Sequence, residues 1–227
     1  MKKALCVYSI AYFVLLGVVV VLLCVYPKLE LHLLLNSWHT DIEDTFFKYY
    51  SMLAEWPLYI LALLPVFWKK IEFTVLFALS ELTGGTILQI LKHTFSFDRP
   101  ICEFENYGNA MLPLVQGVDL HHSNSFPSGH AATFFVFFTC FALFLAYNYK
   151  QNHHPGDAKK WLLIDVAMLG LLILAALGAY SRVYLSQHFL SDICAGSIIG
   201  FTTPFLFFFF GRNMIVSISN KLYQLKR

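Results

Sequence analysis

Six runs of roughly 20 mostly apolar residues crowd into a chain of 227 positions, and this limits what it can become more than any other feature. They lie near 4–26, 52–68, 71–91, 130–149, 161–180 and 189–211. A helix needs about 20 apolar residues to cross roughly 30 Å of hydrocarbon, and these runs are of that order. The second and third are separated only by Trp68-Lys69-Lys70-Ile71-Glu72 and are interrupted by Glu55 and Glu81. Any one run alone reads equally as a buried helix of a soluble core, but six leave too little polar chain to cover such a core. Composition agrees: 58% of residues are hydrophobic and 13% charged, against about 25% charged in soluble domains. The expected fold is all-α, a polytopic bundle of six transmembrane helices forming a single domain over residues 1–227. Lys2-Lys3 followed by an apolar run also resembles a signal peptide, but the run is long and no small-residue cleavage pattern follows, which favours a retained helix.

Lys and Arg accumulate on the cytoplasmic side of such proteins. With a cytoplasmic N-terminus, the inner side holds Lys2, Lys3, Lys69, Lys70, Lys150, Lys159, Lys160, Arg212, Lys221, Lys226 and Arg227 of the 16 cations. Lys28, Lys48, Lys92, Arg99 and Arg182 remain outside. Both termini are therefore expected in the cytoplasm. The net charge of +2 reports topology, and the scattered cations give no basis for a nucleic-acid partner. Cys6, Cys24, Cys140 and Cys194 lie in apolar runs and Cys102 stands alone in a loop, so neither a disulfide framework nor a paired metal spacing is present.

The segment from about Leu31 to Tyr50 differs from a span. Trp38, Ile42, Phe46 and Phe47 recur at helical spacing while Asp41, Glu43, Asp44 and Lys48 fill the remaining positions. That pattern fits an amphipathic helix in the outer, periplasmic-side interface, and equally a helix packed on the domain's own loops. Either would flank whatever site opens on that face. The loop from about 93 to 127 is long, which is more often a mark of function than of idleness.

Three short stretches carry reactive chemistry. The first is Lys92-His93-Thr94-Phe95-Ser96-Phe97-Asp98-Arg99-Pro100. The second is Pro127-Ser128-Gly129-His130, and the third runs from Ser181-Arg182 through His188 to Asp192. In the topology above, all three meet on the outer face. His188 and Asp192 are four apart, so on a helix they share a face and the carboxylate can orient the imidazole. Helix capping by Ser191 or Asp192 is the structural alternative for that carboxylate, and the preceding Ser181-Arg182 make it the lesser reading. Pro127-Ser128-Gly129-His130 opens an apolar run, and Ser125 or Ser128 can cap it; backbone N–H groups at such a start attract anions. Gly129 permits close approach and Ser128 adds a donor. Lys92, Arg99 and Arg182 are ordinary as snorkelling residues taken singly, but together they can surround one phosphate.

The pattern Lys-x6-Arg-Pro, Pro-Ser-Gly-His and Ser-Arg-x5-His-x3-Asp resembles the type 2 phosphatidic acid phosphatase (PAP2) family, whose members include membrane lipid phosphatases and which shares its site with vanadium haloperoxidases. The likeness spans about 92 to 192 without a departure from the three motifs. It implies a helical bundle and metal-independent hydrolysis through a phosphohistidine, with no cofactor. Carried onto this chain, it makes His188 the nucleophile, Asp192 its partner and His130 the acid for the leaving oxygen. Lys92, Arg99, Ser128, Gly129 and Arg182 would hold the phosphate.

The residues themselves suggest no carboxylate cluster for a metal: Asp98 is expected to pair with Arg99, and Glu103 and Glu105 to form a solvated loop face. His121 and His122 read as exposed loop histidines. Asp165 sits near the cytoplasmic end of its span, where snorkelling suffices, whereas Glu81 has no evident reason to be inside one. The implied substrate is a lipid phosphate or pyrophosphate in the outer leaflet of a bacterial inner membrane. Lipid A, undecaprenyl pyrophosphate and phosphatidylglycerol phosphate are the family's candidates, and the polar 101–127 loop favours lipid A or a similar glycolipid. A lipid-phosphate binder or transporter is the non-enzyme alternative, against which the His188 and Asp192 pair argues. A vanadium-dependent peroxidase is disfavoured by the six spans.

Overall fold

Helix α6 (Gly129–Asn152) is the axis of the protein, with α1 (Lys2–Val25), α4 (Ile71–Phe95), α7 (Ala158–Tyr184) and α8 (Leu190–Phe210) packed around it. The structure is a computed structural model that describes residues 1–55, 70–107, 111–152 and 158–225. Among these residues every regular element is a helix. The remaining helices are short: α2 (Lys28–Leu35), α3 (Asp41–Met52), α5 (Pro100–Tyr107) and α9 (Arg212–Leu225). Stretches Lys3–Val25, Ile71–Tyr107, Gly129–Tyr149, Trp161–Tyr184 and Leu190–Phe210 are long and apolar enough to cross a membrane. The chain is an integral membrane protein. Apart from its first residues, the run expected at 52–68 lies outside the described residues.

The core explains why α1 is an integral part of the bundle. Ala4, Leu5, Tyr8 and Tyr12 are buried, and the Tyr12 ring stacks on Phe201 of α8 with centroids 3.9 Å apart. Their hydroxyls meet Thr139 at 3.0 Å and Ser197 at 3.3 Å, so each buried phenol keeps a polar partner. Bilayer lipid gives helices no hydrophobic reason to associate, so close packing must supply it. Gly196 and Gly200 of α8 provide that contact: a Cβ on either would lie 2.4 Å from Ser128 O or 2.3 Å from Ala132 O. Helices α6 and α8 therefore touch backbone to backbone.

One end of the bundle collects the end of α4, the start of α6, the end of α7 and the start of α8. Residues of all three sequence motifs sit there. The opposite end holds Lys3 with Asp165, 3.9 Å apart, and Tyr223 beside Glu72. The Lys3 contact accounts for Asp165 as an end-of-span carboxylate. Glu81 accepts a 3.3 Å hydrogen bond from Thr133 on α6, the partner its sequence position did not disclose.

Two local expectations change, and one further helix is present. The amphipathic stretch is two helices, because Thr40 caps α3: its hydroxyl oxygen accepts the Glu43 N–H at 3.2 Å and its hydroxyl donates to the Glu43 carboxylate at 2.8 Å. The 93–127 loop contains α5, and Glu103 on it is no solvated face but binds Lys28 at 2.6 Å. The chain also continues past the last span into α9, whose apolar Ile215 is buried.

Candidate active site

His188 lies in the turn between α7 and α8, not on a helix with Asp192. Its approach to the carboxylate is made by the turn and the first residues of α8. Nδ1 stands 3.4 Å from Asp192 Oδ2, close enough to feel the charge, although it is not aligned as a full hydrogen bond. The turn is built on the end of α7: the N–H groups of Gln187 and His188 both donate to Arg182 O, at 2.9 and 3.0 Å. With Nδ1 facing Asp192, Nε2 is the ring nitrogen left for chemistry. Burial pushes the His188 imidazole down to about 4, with Asp192 opposing and Arg99 and Arg182 adding to the effect. At neutral pH the ring is therefore uncharged, the form a nucleophile requires.

Asp192 does two jobs with one carboxylate. Oδ2 accepts the Phe189 N–H at 2.9 Å, closing the start of α8, and also the Ser125 hydroxyl at 2.5 Å. Oδ1 accepts Ser191 Oγ–H at 3.2 Å. Capping and orientation of His188 are thus the same arrangement and not competing readings. Its carbonyl accepts the Ser128 N–H at 3.0 Å, which ties the second motif to the third. Gly196 makes this approach possible, since any side chain there would meet Ser128 O.

Ser128 caps α6, its hydroxyl accepting the Ala131 N–H at 3.4 Å, and the whole residue is buried. Ser125 is left free for Asp192. A Cβ added to Gly129 would meet nothing within 4 Å, so protein packing does not demand glycine there. His130 carries a buried Nε2 with no hydrogen-bond partner. Lys92, Arg99, Arg182 and His188 all act on it electrostatically, which puts the basic groups of the three motifs around one point.

The cations are held by backbone oxygens and neutral side chains. Lys92 Nζ donates to Asn124 O at 3.1 Å. Arg99 Nε donates to Ser123 O at 3.0 Å, and Nη1 donates to Gln187 O and Oε1 at 3.1 and 3.3 Å. Arg99 thus turns to the turn before His188 and makes no ion pair with Asp98 among the described residues. Arg182 Nη1 donates to Ser51 Oγ of α3, while its buried Nε has no partner. Among the described residues no carboxylate forms an ion pair with either guanidinium; Asp192 acts on Arg99 and Glu55 on Arg182 only through their charge, which leaves both cations available to an anion. All eight residues named from the sequence converge here. Ser125, Gln187 and Ser51 were not among them; no motif spacing marks a serine or glutamine whose task is to hold another side chain. His121 and His122 are exposed, and the His122 carbonyl accepts the Arg99 N–H at 2.9 Å. Among the described residues no three His, Cys, Asp or Glu side chains are grouped as metal ligands.

A helical membrane bundle with a buried His–Asp pair amid cations is the layout of a phosphate-ester hydrolase. The chain belongs to the PAP2 superfamily, whose pattern matches residues 73–214, and it is a membrane lipid phosphatase, a phosphoric ester hydrolase. It is 25% identical over 197 residues to a lipid A 4'-phosphatase of Bacteroides thetaiotaomicron, covering 84% of this chain and 80% of that one. The crystal structure of Aquifex aeolicus LpxE shares its fold, with a TM-score of 0.58 at 24% identity, covering 79% of this chain and 93% of that one.

Proposed function

We propose that the protein, acting as a single domain, removes a phosphate from a glycolipid head group, of the lipid A kind, on the periplasmic face of the bacterial inner membrane. The observation that carries the reaction is the buried His188 beside Asp192, with three cations and His130 gathered at the same helix ends. Lys92, Arg99, Arg182, Ser128 and the N–H of Gly129 hold the phosphate oxygens. The Nε2 lone pair of His188 attacks phosphorus as the bond from phosphorus to the lipid oxygen breaks. That oxygen takes a proton from His130, and Asp192 stabilises the imidazolium side of the pair. Water then attacks the phosphohistidine, giving its proton to His130, and inorganic phosphate leaves.

The substrate class rests on the lipid A 4'-phosphatase relative and on the polar composition of the segment around α5, which suits a sugar head group. The eleven inner cations support cytoplasmic termini. Exposed Trp38 and Ile42 support an interfacial berth for α2 and α3. Phosphate release from lipid A, undecaprenyl pyrophosphate, phosphatidylglycerol phosphate and phosphatidic acid, measured in one detergent with chelator present, tests the proposal. Lipid A is expected to be hydrolysed fastest. Loss of all activity on chelation, or full activity of His188→Ala, overturns the mechanism; a preference for undecaprenyl pyrophosphate or phosphatidylglycerol phosphate overturns the substrate assignment.

A further inference from the structure

Behind the turn that carries His188 runs a chain of polar side chains that meets the third motif only at Tyr184 and Ser186. It starts at Asp44 of α3, whose Oδ1 accepts the Tyr184 hydroxyl at 2.6 Å and stands 2.8 Å from His39 Nδ1. His39 Nε2 stands 2.8 Å from Asn36 Oδ1, and Asn36 Nδ2 donates to Ser186 Oγ at 2.7 Å. Ser186 Oγ–H in turn donates to Pro113 O at 2.9 Å. Asn36 and Ser186 are buried.

The donors in this chain run in one direction. Pro113 O is a carbonyl and only accepts, so Ser186 must spend its proton there. Asn36 must then give its amide N–H to Ser186, which turns its carbonyl oxygen toward His39. The Asp44 carboxylate also only accepts. Both ring nitrogens of His39 therefore face oxygens, Asp44 Oδ1 on one side and Asn36 Oδ1 on the other.

The chain ends at one of the positive-φ residues of the backbone. Ser186 has φ +53°, a left-handed conformation that is unfavourable for a non-glycine residue. It lies two residues before His188, and its neighbour Gln187 binds Arg99. His32 closes the other side, its Nε2 3.5 Å from Ser186 Oγ and its ring centroid 5.2 Å from that of Phe189. A side chain fixed by two hydrogen bonds can hold such a turn in place.

We propose that Asn36, His39 and Ser186 are positioning residues of the phosphatase reaction, a hydrogen-bond chain anchored on Asp44 that fixes the Ser186–Gln187 turn and through it the ring of His188. The inference rests on His188 being the nucleophile. It gives the α2–α3 hairpin a role beyond covering the bundle: the hairpin sets the direction of the attacking nitrogen. A displacement of the order of 1 Å at a reacting group is enough to cost about a hundredfold in rate.

The test is a set of steady-state measurements on the full chain in detergent, with melting temperature as the control for folding. Asn36→Ala, His39→Ala, Asp44→Asn and Ser186→Gly are each expected to lower kcat about ten- to a hundredfold while KM moves less than about twofold. Ser186→Gly is the discriminating variant, because glycine accepts the left-handed turn and lacks the hydroxymethyl group that joins the chain. Members of one chain should not add, so the Asn36→Ala, Ser186→Gly double variant should be no slower than the worse single one. If Asn36→Ala does not fold, Asn36→Asp keeps the volume, removes the donor to Ser186 and carries the same expectation. Wild-type kcat in Ser186→Gly, additive losses, or a change confined to KM would overturn the chain. His188→Ala measured alongside separates the two levels: full activity there removes the nucleophile reading itself, whereas inactive His188→Ala with unaffected chain variants removes the positioning role alone.

Discussion

Ser125 donates its hydroxyl proton to Asp192 Oδ2 at 2.5 Å, and the same oxygen lies 3.4 Å from His188 Nδ1. The carboxylate is therefore held by the second motif's approach loop as well as by its own helix. Ser125→Ala removes a hydrogen bond to a charged, buried acceptor, worth roughly 1.5–3 kcal/mol. The expected result is a fall in kcat of about ten- to a hundredfold with little change in KM, read from phosphate release under saturating lipid. Unchanged kcat would mean that the Phe189 N–H and the Ser191 hydroxyl suffice to orient Asp192.

Acid should destabilise the fold through two histidines. Burial is the largest cause of a depressed pKa at both His188 and His32, each at about 4 against an ordinary 6.5. Between those values the unfolded chain binds protons that the folded one does not. Stability must therefore fall as pH drops from 6.5 toward 4, by up to about 3 kcal/mol for each residue. His32→Leu should flatten part of that slope in melting temperatures recorded from pH 7.5 to 4.5. A slope identical to that of the wild type would show that His32 does not supply this proton uptake.

The parts of the structure that were legible in the sequence are those whose signal is local. Apolar runs mark α1, α4, α6, α7 and α8 because bilayer thickness imposes their length. Motif residues such as His188 and Arg182 stand out because cations and histidines are conspicuous in apolar chain. The break between α2 and α3 was hidden because a Thr40 cap looks like any polar residue within an amphipathic pattern. Ser125, Gln187 and Asn36 were hidden for a different reason: each acts on a partner far away in the chain, at Asp192, Arg99 and Ser186. Glu81 likewise needed the third dimension to reveal Thr133.

Two glycines near the site should respond in opposite ways. Gly200→Ala places a Cβ 2.3 Å from Ala132 O and 2.7 Å from Phe135 Cβ, contacts that force α6 and α8 apart. Overpacking of that kind costs about 1–3 kcal/mol, and a drop in melting temperature in detergent is expected. Gly129→Ala meets nothing of the protein within 4 Å, so its melting temperature should stay within about 2 °C of the wild type, while the added methyl beside the phosphate-binding N–H lowers kcat/KM. Equal stability loss in both variants would contradict the packing shown for Gly200.

The exposed side chains of the α2–α3 hairpin give the last prediction. Trp38 is 80% exposed and Ile42 82%, whereas Phe47 on the same hairpin is buried between Tyr180 and Tyr184. Large apolar side chains facing outward beside Asp41 and Glu43 match a helix at the boundary of acyl chain and head group. Fluorescence of a variant retaining only Trp38 should be quenched by bromolipids labelled near the head group more than by those labelled at the chain ends. Ile42→Asp should then slow hydrolysis of lipid held in vesicles while leaving hydrolysis of a short-chain, detergent-dispersed substrate close to wild type, because the change lies at the membrane contact and not among the residues around His188. Equal losses on both substrates would mean that the hairpin serves only to hold the site, through Ser51 on Arg182 and Asp44 on Tyr184.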